Sequence, residues 1–145
     1  MNLELFPLNY RQALQNGQAS NICISGSNQG TLINGSNGLI FDIANNLGGK
    51  ILIYAFALCY YAKNNYKAEI TIRNNQKNRN LISPGTQIGN LAVATEIKTE
   101  KTNPTYIVPF TLDSGQTVGV ELNNVSGYQI NGKDLSLTLF GVIID

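Results

Sequence analysis

Apolar and polar residues alternate strictly along several short segments, and this period of two is a strand signature, not a helical one. In Lys67-Ala68-Glu69-Ile70-Thr71-Ile72-Arg73 the apolar positions are Ala68, Ile70 and Ile72, and the other face is polar and charged. Leu91, Val93, Thr95 and Ile97 oppose Ala92, Ala94, Glu96 and Lys98, and Val118, Val120 and Leu122 oppose Thr117, Gly119 and Glu121. Such strands put one face on a core and one in water, as in antiparallel sandwiches.

Two segments break this rule. Ile51 to Tyr61 is apolar on both faces, with Ile51, Ile53, Ala55, Ala57 and Cys59 on one and Leu52, Tyr54, Phe56, Leu58 and Tyr60 on the other. The last strand begins as Leu135, Leu137 and Leu139 against Ser136 and Thr138, then ends apolar on both sides through Phe140, Val142 and Ile144. A strand buried on both faces needs an outer cover, which the N-terminal arm, a helix or another subunit would supply. A buried helix over 51–62 is the competing reading, since periodicity alone does not settle a short apolar run.

Turn residues punctuate the pattern. Asn34-Gly35, Asn37-Gly38, Asn131-Gly132 and Asp113-Ser114-Gly115 lie between apolar runs, and Asn and Gly tolerate the positive φ of tight hairpin turns. Strands are expected at Asn21–Ser25, Thr31–Asn34, Leu39–Ala44, Ile51–Tyr61, Lys67–Arg73, Asn90–Ile97, Thr105–Leu112, Thr117–Asn123, Ser126–Ile130 and Asp134–Ile144. Pro109 makes its strand an edge or a bulged one, and Asn74 to Pro84 reads as the longest polar loop. The expected fold is all-β: a two-sheet antiparallel β-sandwich of jelly-roll or Greek-key order. An immunoglobulin-like sandwich is the nearest rival, without Trp for its usual core. Residues 1–18 read as an N-terminal arm in which Leu3, Leu5, Phe6, Leu8 and Tyr10 cluster around Pro7. Arg11 to Gln15 then form a short helix ended by Asn16-Gly17. Residues 19–145 read as one β-sandwich domain, with no internal repeat and no linker.

Composition narrows function mainly by exclusion. The 145 residues include no His and no Trp, and net charge is +1. Without His there is no Ser-His or Cys-His nucleophile system in this chain and the commonest metal ligand is missing. No Gly-Lys-Ser/Thr phosphate loop occurs, and Gly26 to Gly30 precedes a strand rather than a helix. Cys23 and Cys59, both in apolar runs, read as reduced and buried, with a single disulfide between them as the alternative. Nine carboxylates are present; Glu69, Glu96 and Glu121 on polar strand sides are the only set that would converge, and they read first as solvated residues. The chain is therefore expected to be non-enzymatic, with no catalytic residue, cofactor or metal. The 12 residues from Ile51 to Ala62 are too few for a membrane helix of about 20. Met1 to Leu5 has no basic, apolar leader pattern.

Two binding readings remain. Lys63, Lys67, Arg73, Lys77 and Arg79 form a basic segment beside Tyr60, Tyr61 and Tyr66. Such a combination suits nucleic acid, which the near-neutral chain disfavours, or an acidic protein surface. Tyrosines, Tyr106 among them, together with 20 Asn suit a glycan site, so a carbohydrate-binding module, lectin-like or receptor-binding, is the alternative function. Asn34-Gly35-Ser36 and Asn124-Val125-Ser126 match the glycosylation sequon by accident of so much Asn.

With the catalytic constellations gone, the apolar arm, the two-faced strands and a surface rich in amides and hydroxyls favour assembly. A short Asn-rich β chain ending Leu137-Thr138-Leu139-Phe140-Gly141-Val142-Ile143-Ile144 resembles small bacteriophage virion structural proteins, of the capsid, decoration, head-fibre or baseplate type. That resemblance implies a homo-oligomer, a trimer above all, bound to other virion proteins, located in the virion and assembled in the host cytoplasm. Leu3, Leu5, Phe6, Leu8, Tyr10, Tyr60, Tyr61 and Phe140 are the expected partner-binding residues. The building-block reading leans on the apolar faces of the segment from Ile51; wrapping of that segment by its own chain would remove the support.

Overall fold

A computed structural model describes residues 3–27, 30–32, 35–60, 67–94 and 104–145. Among the described residues a helix α1 (Leu8–Gln15) precedes eleven strands: β1 (Ala19–Ser27), β2 (Thr31–Leu32), β3 (Asn37–Ala44), β4 (Ile51–Tyr60), β5 (Glu69–Asn74), β6 (Arg79–Asn80), β7 (Ala92–Ala94), β8 (Thr105–Leu112), β9 (Thr117–Asn123), β10 (Ile130–Asn131) and β11 (Leu135–Ile144).

The strands form the expected all-β sandwich. One sheet runs β1-β11-β4, with β8 and the short parallel β7 on the far side of β4; the other runs β3-β9-β5-β6. Counting only β1, β3, β4, β5, β6, β8, β9 and β11, in chain order, the sheets read 1-8-3-6 and 2-7-4-5, the jelly-roll order. Apart from β5 and β6, consecutive members of this set lie in opposite sheets. The Asp113–Gly115 turn therefore joins β8 to β9 across the sandwich rather than closing a hairpin. Asn37-Gly38 lies inside β3, and Asn131-Gly132 leads into a single 3-10 turn. Turn-forming residues report a local backbone angle and not which strand the next one will pair with.

The alternating segments fold as expected. Ile70 and Ile72 of β5, Val118, Val120 and Leu122 of β9, and Leu135, Leu137 and Leu139 of β11 meet in the core between the sheets. Of Ser126–Ile130 only Ile130 is strand, and the expected polar loop after Asn74 contains β6. The ends of Thr31–Asn34 and Asn90–Ile97 lie outside the described residues.

β4 is a strand, so the helical alternative over 51–62 does not hold. Its faces also differ from simple alternation. Ile53 pairs with Gly141 and Ala55 with Phe140, which leaves Tyr54 as an extra residue. This bulge shifts the phase. Ile51 and Ile53 before it, and Phe56, Leu58 and Tyr60 after it, all point into the core, while Leu52 and Tyr54 point outward. Opposite Tyr54, β8 is irregular between Tyr106 and Phe110, where Pro109 sits on an edge strand as expected.

The outer cover belongs to the chain itself. Phe6 and Tyr10 pack on Leu52 and Val142, with Leu14, Ala19 and Tyr54 around them. Of residues 51–60 only Tyr54 and Cys59 are half-exposed. Of the covers expected for a two-faced strand, the N-terminal arm is the one found over Leu52 and Val142, so these residues do not call for a second subunit. The arm is held in place by its helix end. Gly17 adopts φ +69, the Gln18 amide donates to the Ala13 carbonyl at 2.8 Å and the Gly17 amide to Leu14 at 3.3 Å, a Schellman cap.

Both cysteines are free, but Cys23 is exposed and Cys59 half-buried, not buried as expected. Cys23 alternates with the inward Ile22 and Ile24 on β1 and so faces out.

Candidate interaction site

The predicted partner-binding residues separate into three groups. Phe6, Tyr10 and Tyr60 are buried in their own chain, Tyr60 completely, so they stabilise the fold and offer no surface to a partner. Leu3, Leu5 and Leu8 point the other way: Leu5 is 55% and Leu8 59% exposed. Phe140 is half-buried on β11, and Tyr61 lies outside the described residues. The arm thus has two sides. Aromatic rings of one side anchor it to β4 and β11, and leucines of the other side meet solvent.

The basic segment is also divided. Arg73 on β5 pairs with Glu121 on β9 at 3.6 Å. Lys77 and Arg79 instead line a groove of about 400 Å³ between the β5–β6 hairpin and the irregular part of β8. Lys63 and Tyr66 lie outside the described residues, and Tyr60 is in the core. The aromatic member of the groove comes from elsewhere in the chain. Tyr106 is 57% exposed and stacks on Tyr54 at 6.4 Å between ring centres, and Tyr54 in turn meets Phe6 at 5.6 Å. The Tyr106 and Tyr54 rings lie within 15° of parallel. Burial, and then the neighbouring Tyr106, push the Tyr54 hydroxyl above its usual range. Asn80, Val108 and Phe110 are among the other residues of its walls. Sequence reading named Tyr106, Lys77 and Arg79 separately; their juxtaposition follows from β6 and β8 both being sheet edges on one flank of the sandwich.

The carboxylates are occupied at the strand surface. Glu121 faces Arg73, and Glu69 accepts a bond from the Asn123 amide at 3.4 Å. Glu96 lies outside the described residues. Among those residues no three His, Cys, Asp or Glu side chains gather as metal donors. Asn124 of the second sequon is fully buried with its amide nitrogen donating to the Tyr128 carbonyl at 2.7 Å, which closes that site to modification in the folded chain. No helix among the described residues is long and apolar enough to cross a membrane.

No family model matches this chain, and no curated protein does. Solved structures that align with this chain include the following two. The crystal structure of FLHE aligns with 9% identity and a TM-score of 0.44 over 88% of this chain and 98% of that one. The capsid asymmetric unit of cyanophage Pam1 aligns with 12% identity and a TM-score of 0.42 over 87% of this chain and 84% of that one. At this level of likeness, function has to be argued from this chain's own side chains.

Proposed function

We propose that this protein is a non-enzymatic structural subunit of a virion, acting through contacts with further copies of itself and with other virion proteins. The observation that carries this reading is the two-sided arm. Phe6 and Tyr10 fix it to the sandwich, while Leu3, Leu5 and Leu8 stand exposed on a segment that the fold does not require to be apolar. Exposed leucines closely spaced on an anchored segment mark a surface for protein contact. The jelly-roll order agrees with it, since capsid domains and lectins use this architecture.

The test is light scattering after size-exclusion chromatography, with negative-stain microscopy of particles from the source. The wild-type chain is expected to self-associate or to join a particle. Leu5→Asp with Leu8→Asp should abolish entry into a particle without unfolding the domain, because both side chains are exposed. An inert monomer, indifferent to these changes, would overturn the reading.

A second reading, a carbohydrate-binding module, is supported by the groove. A flat tyrosine ring beside Lys77, Arg79 and Asn80 suits a sugar bearing a carboxylate, with the ring under the pyranose and the cations on the acid group. A glycan array should then report binding that Tyr106→Ala removes; no binding to any acidic glycan would end this reading.

A further inference from the structure

We propose that the free edge of β1 pairs antiparallel with the same edge of a second copy, about a two-fold axis at Cys23. This deepens the structural-subunit reading by naming one interface and its partner. β1 lies at the end of its sheet, with β11 on one side and no strand among the described residues on the other. It is nine residues long and matches β11 residue for residue from Ala19–Ile144 to Ser27–Ser136, with no bulge. A long, regular edge presents a row of outward amides and carbonyls. Sandwiches normally guard such edges with lysine, proline, a bulge or shortness. Ala19-Ser20-Asn21-Ile22-Cys23-Ile24-Ser25-Gly26-Ser27 has none of these guards and no charge at all.

The sequence of the strand is self-complementary about its midpoint. Antiparallel pairing centred on Cys23 sets Ile22 opposite the partner's Ile24, Asn21 opposite the partner's Ser25 and Ser20 opposite the partner's Gly26. Between Asn21 and Ser25 apolar meets apolar and polar meets polar, which is what fixes register in a sheet, while the end pair sets Ala19 opposite the partner's Ser27. A contact in which one patch meets itself is the isologous kind that closes as a dimer. The resemblance to virion proteins implied a trimer above all; this edge alone makes pairs. Ile22 and Ile24 pack against the main core but are only half-buried, because the sandwich stops at β1. A second copy would cover them. Asn21, Cys23 and Ser25 are exposed on the outer face of the strand, so substitutions there leave the interior alone. Directly opposed residues of an antiparallel pair have Cα atoms about 4.5 or 5.5 Å apart. Both spacings lie within reach of a disulfide.

The full-length chain tests this directly. Diamide oxidation should link two copies covalently through Cys23, with the link lost in Cys23→Ser and kept in Cys59→Ser. In light scattering, Asn21→Lys with Ser25→Lys should give monomers, because each lysine faces a lysine. Asn21→Lys with Ser25→Glu should restore the dimer. Circular dichroism should show both variants folded. A wild-type monomer, a link through Cys59, or a dimer indifferent to the lysine pair would overturn the proposal, as would failure of the lysine–glutamate variant to pair. Particle assembly that requires Leu5 and Leu8 but ignores the β1 charges would overturn the edge pairing alone. A β1-dependent dimer that joins no particle and ignores Leu5 and Leu8 would overturn the virion reading alone.

Discussion

Asn45 and Asn124 are equivalent residues at opposite ends of the β3–β9 pair. Each follows the last residue of its strand and is completely buried. The Asn45 side-chain amide donates to the Gly49 carbonyl at 2.6 Å, and that of Asn124 to the Tyr128 carbonyl at 2.7 Å, both four residues on. Each side-chain oxygen accepts an amide two residues on, from Leu47 at 3.1 Å and Ser126 at 3.3 Å. Gly48 and Gly127, three residues on, both have positive φ, and the next strand starts at Ile51 and at Ile130. One local design, Asn-x-x-Gly, is used twice, and in both places a buried asparagine supplies the bonds that hold an exposed chain reversal.

Replacement of either asparagine by alanine should therefore destabilise the fold by about 2 to 4 kcal/mol, from three side-chain bonds of modest net value each. Asn45→Asp should cost more than Asn45→Ala. Its carboxylate would face the Gly49 and Leu112 carbonyl oxygens that the amide now serves. Urea denaturation of the three variants checks the order.

Gly141→Ala should be costly for a different reason. A Cβ there would lie 2.5 Å from Ile51 Cγ2 and 2.8 Å from the Leu52 carbonyl oxygen, beside the Tyr54 bulge, and the backbone oxygen has no rotamer by which to move away. The expected loss is about 2 kcal/mol or more. Gly38→Ala, where nothing lies within 4 Å, is the control and should change stability by no more than about 0.5 kcal/mol.

The two sides of the arm should separate in mutagenesis. Phe6→Ala removes a buried ring from Leu52, Val142 and Tyr54 and should cost about 3 kcal/mol. Leu8→Ala removes an exposed side chain and should leave thermal stability within about 0.5 kcal/mol, while weakening particle assembly. Equal losses of stability from both would show that the arm has no free side.

Stability should also fall in alkali through Tyr10. Burial, and next the Asp113 carboxylate, raise its hydroxyl above the ordinary value near 10. A raised folded value means that the unfolded chain gives up the proton first. The contribution is thus intact below about pH 10 and is lost as pH climbs through the folded value. Tyr10→Phe, measured by thermal unfolding between neutral pH and pH 11, should flatten part of that decline. An unchanged slope would remove Tyr10 from the account.

Most of the strand inventory was legible because alternation reflects a local constraint: each residue's side of the sheet follows from its neighbour's. Ile70 and Ile72, the Val118–Leu122 face and the Leu135–Leu139 face could be placed on a core from identity alone. The Tyr54 bulge could not, since an extra residue is defined only against Phe140 and Gly141 on the partner strand. The Asn-x-x-Gly reversals were equally hidden, as only two of the residues in each are alike, and burial of Asn45 depends on strands far away in the chain. The groove failed for the same reason. Tyr106 is nearly thirty positions from Lys77 and Arg79, and they become neighbours only because β6 and β8 end their sheets on the same flank.

By itself, then, the order of residues determined an all-β chain with an apolar N-terminal arm, since these depend on side-chain type and short-range periodicity. Tertiary structure alone decided that the arm's rings cover Leu52 and Val142 from outside, that Tyr60 belongs to the core, and that β1 ends its sheet among the described residues. Those outcomes depend on which distant strands lie side by side, and pairing between strands is settled by the packing of the whole sandwich rather than by any one segment.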